Sequence, residues 1–263
     1  MKLANMLEGT RKFTIPLLSI GILGLSSCGD DDDGGVTCVF PDLNSVGFQV
    51  EAGFSFGSEQ LTDESSLMTF FNFENRPFRF VDPMIYYSRI ALVDDQGDTV
   101  HFNEVVLGDN SNSSYTLGLI DTTRNYTELV VGFGLPYSTN KGVRPIEFTL
   151  EHPLGPKAPS MWWSWADGYI FARIEGPTNH NHPAGSDMDM TFSWHVGFSE
   201  SHRWPIVFPI NGYENIRIDF DLKKLVDQVI VPDELFNVKI RGNKLDMKIT
   251  NMMADCIRIQ QTL

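Results

Sequence analysis

The chain has 263 residues, 34 of them acidic against 20 basic, and a formal net charge of −14. An acid excess of that size excludes the basic footprint that nucleic-acid phosphates require, and it disfavours docking to an anionic leaflet by charge. With 42% hydrophobic and 12% aromatic residues the chain can bury a substantial core, so general disorder is excluded.

The first residues read as an address. Met1–Lys12 is short and basic, and Phe13–Leu25 is an apolar run too short to span a bilayer, as in a signal-peptide core. The run ends in Leu25-Ser26-Ser27-Cys28, which resembles a bacterial lipoprotein box: small residues fit the peptidase groove and the thiol then carries the lipid. Residues 1–27 are therefore expected to be a signal peptide. The mature chain would start at a lipidated Cys28, with acyl chains as its membrane anchor. Its 17 bases would face 33 acids, a net charge of −16. Gly29–Gly35 (GDDDDGG) holds four adjacent carboxylates that repel one another, so residues 28–35 read as a solvated tether. The stretch also looks like the surface-export signal of Bacteroidetes-type lipoproteins, and a plain spacer is an equal reading. The expected location is the cell envelope, on the periplasmic or the outer face of the outer membrane.

After the tether the chain reads as many short strands. Val46–Phe56 alternates loosely, Leu67–Phe73 and Arg76–Val81 are β-rich, and Met84–Val93 (MIYYSRIALV) is the strongest strand signal of the first half. Val100–Leu107, Tyr115–Ile120, Glu128–Leu135, Tyr169–Glu175, Met190–Phe198, Ile206–Ile210 and Asn215–Leu222 continue the pattern, separated by Gly, Asp and Asn turns. Leu222–Val229 has helical spacing of Leu222, Leu225, Val226 and Val229. Val238–Ile240 and Leu245–Ile249 read as late strands or a hairpin around Gly242-Asn243. Later apolar runs are broken by Pro, Gly and charge, so no membrane-spanning helix is expected. The expected fold is all-β: a single jelly-roll-like β-sandwich over residues 36–263 with one short helix.

Two cysteines remain, Cys38 and Cys256. An oxidising envelope permits a disulfide between them, provided that the first and last strands are neighbours. Two cysteines without a CxxC partner do not make a zinc site.

Five of the six histidines (His152, His180, His182, His195, His202) lie in the stretch that also carries all five tryptophans, while His101 stands apart. Imidazole is a ligand for copper and other late metals. His180-Asn181-His182 sits in a polar loop, where solvation competes with chelation. His195 lies in Thr191–Phe198. As a strand, this segment puts Phe192, Trp194 and Val196 on one face and Ser193, His195 and Gly197 on the other. A hydrogen-bonded structural histidine and a metal ligand are both open there.

Several blocks, in order, resemble the MbnP-like copper-binding family. They are Tyr86–Leu92 (YYSRIAL), Val131–Asn140 (VGFGLPYSTN), His152-Pro153-Leu154, Met161–Gly176 (MWWSWADGYIFARIEG), Thr191–Phe198 and Ile249–Ala254. Met161–Gly176 is the most specific, and together they span roughly residues 46–255. The resemblance implies a non-enzymatic β-sandwich of the bacterial envelope that stores, scavenges or transfers copper as Cu(I). It also implies a ligand set of histidine nitrogens and a tryptophan oxidised to kynurenine by a di-haem cytochrome c peroxidase-like partner of the MbnH type. Carried over position by position, His195 is the first expected ligand, His152 the second and His101 the third. Trp163 and Trp165 match the tryptophans of the central block. A packed core would also accept Met161–Trp165 as bulky filler. No Trp precedes Trp162, so a relative that modifies an early tryptophan has no counterpart here.

Other chemistry finds little footing. No GxSxG, HExxH, GxxxxGK[ST] or GxGxxG pattern occurs. Two further readings compete with copper: a carbohydrate-binding or adhesion module, and a structural lipoprotein whose histidines only hydrogen-bond.

Overall fold

A computed structural model describes residues 28–30, 36–38, 44–164, 166–179, 188–198, 201–228, 236–238 and 244–261. Residues 1–27, read above as a signal peptide, and His180-Asn181-His182 lie outside them. The chain divides into two units, Met1–Leu43 and Asn44–Leu263. In the first, Cys28–Asp30 pairs antiparallel with Val36–Cys38, setting Cys28 opposite Cys38.

The second unit is the sandwich. Its principal strands are β1 (Ser45–Phe56), β2 (Met84–Asp94), β3 (Ser114–Asp121), β4 (Tyr126–Phe133), β5 (Ala172–Thr178), β6 (Met190–Val196), β7 (Arg203–Pro209), β8 (Ile216–Asp221), β9 (Phe236–Val238) and β10 (Ile257–Gln261). One sheet runs β3-β1-β8-β10 and the other β7-β4-β2-β5-β6-β9. Neighbours are antiparallel except for the parallel pairs β1–β8 and β6–β9.

Period-two patterning explains the core. In β1, Phe48, Val50, Ala52 and Phe54 are buried while Gln49 and Glu51 are exposed. In β8, Ile216, Ile218 and Phe220 face inward. In β6, Phe192, Trp194 and Val196 are buried and Ser193 and His195 are partly exposed, as the alternation predicts. Edge-to-face and tilted rings knit the interior: Phe192 meets Phe78 at 5.4 Å and Phe80 at 5.8 Å, and Trp194 lies 4.7 Å from Phe192. β2 does not alternate. Met84–Ser88 and Ile90–Leu92 are all buried, because this central strand is covered on both faces.

Several expectations need correction. The domain carries three α-helices among the described residues: α1 (Tyr137–Gly142), α2 (Leu222–Asp227) and α3 (Lys244–Asp255). α2 is the helix read from the sequence, and the Asp221 side chain caps it by accepting from the Lys223 and Lys224 N–H groups. α3 replaces the expected strand Leu245–Ile249. Ile249, Met252, Met253 and Cys256 are buried at helical spacing, which the apolar–charged alternation of Leu245–Ile249 obscured. Leu67–Phe73 and Arg76–Val81 contribute only the short strands Phe70–Phe71 and Pro77–Phe78. Val100–Leu107 breaks into Thr99–His101 and Val106–Gly108, both paired with β2. The Cys38–Cys256 disulfide is not formed: Cys256 carries a free, buried thiol that donates to the Met252 carbonyl at 3.0 Å. Among the described residues, no helix is long and apolar enough to cross a membrane.

Candidate metal centre

The register of β5 and β6 sets Arg173 opposite His195 and Glu175 opposite Ser193. Paired residues point to the same side of a sheet, so these four side chains share the face turned away from the sandwich core. There His195 Nε2 lies 2.8 Å from Glu175 Oε2 and 3.3 Å from Ser193 Oγ. Arg173 donates to the other oxygen of the same carboxylate. Burial disfavours charge on Glu175, but the hydrogen bonds from His195 and Arg173 outweigh it and hold its pKa below the ordinary value. A carboxylate can only accept, so Nε2 carries the proton. For His195, burial outweighs the upward pull of Glu175 and the pKa falls below 6.5. The ring is thus neutral at pH 7, with its lone pair on Nδ1. A carboxylate-oriented imidazole of this kind is how proteins fix a histidine ligand.

The segment between α1 and β5 packs against the end of β6. Its short strands Trp162–Ser164 and Gly168–Tyr169 pair with each other. The Tyr86 hydroxyl donates to the Pro153 carbonyl at 2.9 Å, and the Tyr169 hydroxyl to the Leu154 carbonyl at 3.0 Å. At the end of β6, Gly197 lets the segment cross at backbone contact: a Cβ there would fall 2.3 Å from the Tyr169 carbonyl oxygen and 2.9 Å from Trp163 Cζ3. Only a residue without a Cβ fits, and the crossing seats the Trp163 indole two residues along the strand from His195. The same indole stands 5.0 Å from the Phe198 ring.

The other expected ligands are placed differently. His152 Nδ1 accepts the Leu154 N–H at 3.1 Å, and its ring stacks on Phe148 at 4.1 Å. With Nδ1 accepting, the proton of the neutral ring sits on Nε2, so neither nitrogen has a lone pair to offer in this arrangement. The HPL element is instead a brace: His152 closes the turn, and the next two carbonyls take the two tyrosine hydroxyls. His101 is exposed at the end of Thr99–His101, opposite Ala91. Trp165 lies outside the described residues. Among those residues, no group of three or more His, Cys, Asp or Glu is arranged to hold a metal ion. The structure therefore brings Trp163 close to the His195 strand and leaves His152 and His101 in other roles.

Sequence reasoning missed Glu175, Arg173 and His202. Glu175 sits in the motif block, but its tie to His195 depends on strand register. His202 had no motif. Its Nε2 is buried without a hydrogen-bond partner, and a Cβ on Gly132 would lie 3.2 Å from it.

Comparison with known proteins bears out the family resemblance. Curated proteins give no match. Among solved structures, MbnP from Methylosinus trichosporium is similar, with 16% identity and a TM-score of 0.49, over 77% of this chain and 84% of that one. The MbnP family model matches residues 45–256, from the first strand of the sandwich to the end of α3. The chain belongs to the MbnP family.

Proposed function

We propose that the protein is a non-enzymatic, lipid-anchored copper binder of the bacterial envelope, with His195 as its anchoring ligand. The observation that carries this reading is the Glu175–His195 pair, which fixes the Nε2–H tautomer of an imidazole that burial keeps neutral and so leaves its lone pair on Nδ1. Cu(I) suits such a site because it accepts few ligands and borderline donors. His152 and His101 would join only after rearrangement, His152 by giving up its bond to Leu154.

Trp163, beside Gly197, is the candidate tryptophan that lies among the described residues, and it would be converted to kynurenine by an MbnH-type di-haem partner acting as oxidant. That conversion adds one oxygen and removes one carbon, and it replaces an indole nitrogen that cannot ligate with an aniline nitrogen and a ketone oxygen that can. The signal peptide, lipidation at Cys28 and outer-membrane location complete the proposal, and they rest on the N-terminal sequence.

The test is Cu(I) binding by the full chain, followed by thermal shift. Copper should raise the Tm through mass action. His195→Ala should remove the rise while leaving the copper-free Tm nearly unchanged. A rise that survives His195→Ala would move the site elsewhere, and no rise in either protein would end the copper reading. Intact mass of protein from its native host would report the tryptophan conversion independently.

A further inference from the structure

The segment from α1 to the Trp162–Ser164 strand differs from the rest of the chain in both charge and exposure. Residues 137–164 hold three bases (Lys141, Arg144, Lys157) against two acids (Glu147, Glu151), whereas the remainder holds 17 bases against 32 acids. The bases are held in place. Lys141 Nζ donates to the Ala166 carbonyl at 2.6 Å, Lys157 Nζ to the Leu150 carbonyl at 2.8 Å, and Arg144 Nε to Glu147 at 3.0 Å. Large apolar side chains in the same segment stay in water: Tyr137 is 69% exposed, Ile146 83% and Leu150 65%. Ile146 also lines an open groove of about 650 Å³ with Pro145, Pro156, Trp162 and Arg144.

Exposed apolar groups rimmed by charge mark a surface that something covers. A second copy meeting this patch across a two-fold axis would set the same bases against one another, which disfavours it. A protein surface with an apolar centre and an acidic rim complements the patch in both respects. The position of the groove says what such a protein would reach. In the Trp162–Ser164 strand successive side chains point to opposite sides. The Trp162 indole lines the groove and meets Tyr169 edge-on at 4.7 Å. The Trp163 indole lies against the Gly197 backbone and the Phe198 ring. A protein seated on the groove therefore stands one strand's thickness from Trp163.

We infer that residues 137–164 form the docking surface for an acidic-rimmed redox protein, the one that oxidises Trp163. Ile146 and the groove supply the apolar centre, and Lys141, Arg144 and Lys157 supply the rim. The inference rests on the proposed function for the partner's redox chemistry, while the charge and exposure of the surface are independent of copper. The patch is small and its rim charged, as in transient encounters.

Binding of the purified di-haem protein of the same host to the full chain, followed by surface plasmon resonance, tests it. Affinity should fall between low salt and about 0.3 M, where the rim charges are screened. Ile146→Asp, which sets a carboxylate at the apolar centre, should weaken binding at least about tenfold. Arg144→Glu should weaken it about threefold at low salt and less at high salt. Leu119→Asp, at another exposed apolar position on β3, should leave binding unchanged, and all three variants should keep the parent Tm. Binding undiminished by Ile146→Asp, or diminished equally by Leu119→Asp, would overturn the assignment. Self-association of the chain that Ile146→Asp abolishes would give the surface to a second copy and overturn it too. No binding to the parent chain would end the docking inference, while the copper-induced rise in Tm would still report on the metal reading by itself.

Discussion

The β5–β6 strand pair and the loop from Phe148 to Tyr169 each present a histidine from a family-like motif, and they use it in opposite ways. On the strands, His195 donates its Nε2–H to Glu175 and keeps a lone pair on Nδ1. In the loop, His152 spends its Nδ1 lone pair on the Leu154 N–H, two residues away. A strand places side chains on a flat face, where a cross-strand carboxylate can reach only one edge of the ring. A tight turn brings a backbone N–H to the nearer nitrogen. Local backbone geometry, more than the surrounding motif, decides whether an imidazole is free to ligate.

The sharpest way to break the comparison is to loosen the loop. Gly155 follows the HPL element, and its own N–H donates to the His152 carbonyl at 2.8 Å. A Cβ at this position would fall 1.9 Å from the Thr149 carbonyl oxygen and 3.0 Å from that of His152. Both are backbone atoms that cannot swing aside. Gly155→Ala should therefore cost about 3 kcal/mol, at the upper end of overpacking penalties, and lower the Tm by several degrees in thermal denaturation. Unchanged stability would mean that the turn does not pack as described and that His152 is freer than its hydrogen bond indicates.

A somewhat smaller effect should separate the two histidines directly. Glu175→Ala removes the carboxylate that orients His195. Loss of such an outer partner typically costs about 10–100-fold in metal affinity. His152→Ala removes a ring whose nitrogens are both committed, and should change Cu(I) affinity by less than about threefold, near the 1 kcal/mol scatter of a typical substitution. Competition titration against a colorimetric Cu(I) chelator measures both. The reverse ranking would show that the loop histidine, not the strand histidine, anchors the metal.

Much of this was legible in the sequence where one rule dominates. Alternation in Phe192–Val196 assigned the correct face to His195, and the spacing of Leu222, Leu225 and Val226 located α2. It failed where two rules compete. Lys244–Asp255 carries a helical apolar stripe and helix-favouring Leu and Met, yet Leu245–Ile249 alternates apolar and charged residues as a strand does, and the longer stripe decided for helix. The site was half legible. His195 came from a motif, while its partner Glu175 came from register, which bulges and long connections set and no local pattern reveals. The disulfide expectation failed for a related reason: chain ends say nothing of where α3 delivers Cys256.

His202 sharpens the contrast through pH. Burial first, then the charges of Arg89 and Arg203, push its pKa down to about 4, and no acceptor stands at its buried Nε2 among the described residues. A histidine depressed in the folded state binds its proton more tightly when unfolded. Its contribution to stability is fully present above the unfolded value near 6.5, and is lost as pH falls from there through about 4. His202→Gln should flatten the decline in Tm across that window, whereas His195→Gln should flatten it less, since Glu175 pulls the His195 pKa back upward. Equal slopes in wild type and His202→Gln would show that the ring is more solvated than its packing against Gly132 implies.

The smallest effect belongs to His101. Its side chain is exposed at the end of a three-residue strand, opposite Ala91 across the ladder, and no hydrogen bond or ion pair holds it among the described residues. Nothing in that setting fixes a tautomer or removes water from the ring, so a metal there would have to order the side chain at its own expense. His101→Ala should change stability by no more than about 0.5 kcal/mol, as for other exposed positions. It should also leave the copper-induced Tm rise within error of the parent. A marked fall in that rise would mean that copper binding draws Thr99–His101 toward the β5–β6 face. The metal would then select a conformation different from the one described here, and the contrast between ordered and committed imidazoles would hold only for the metal-free protein.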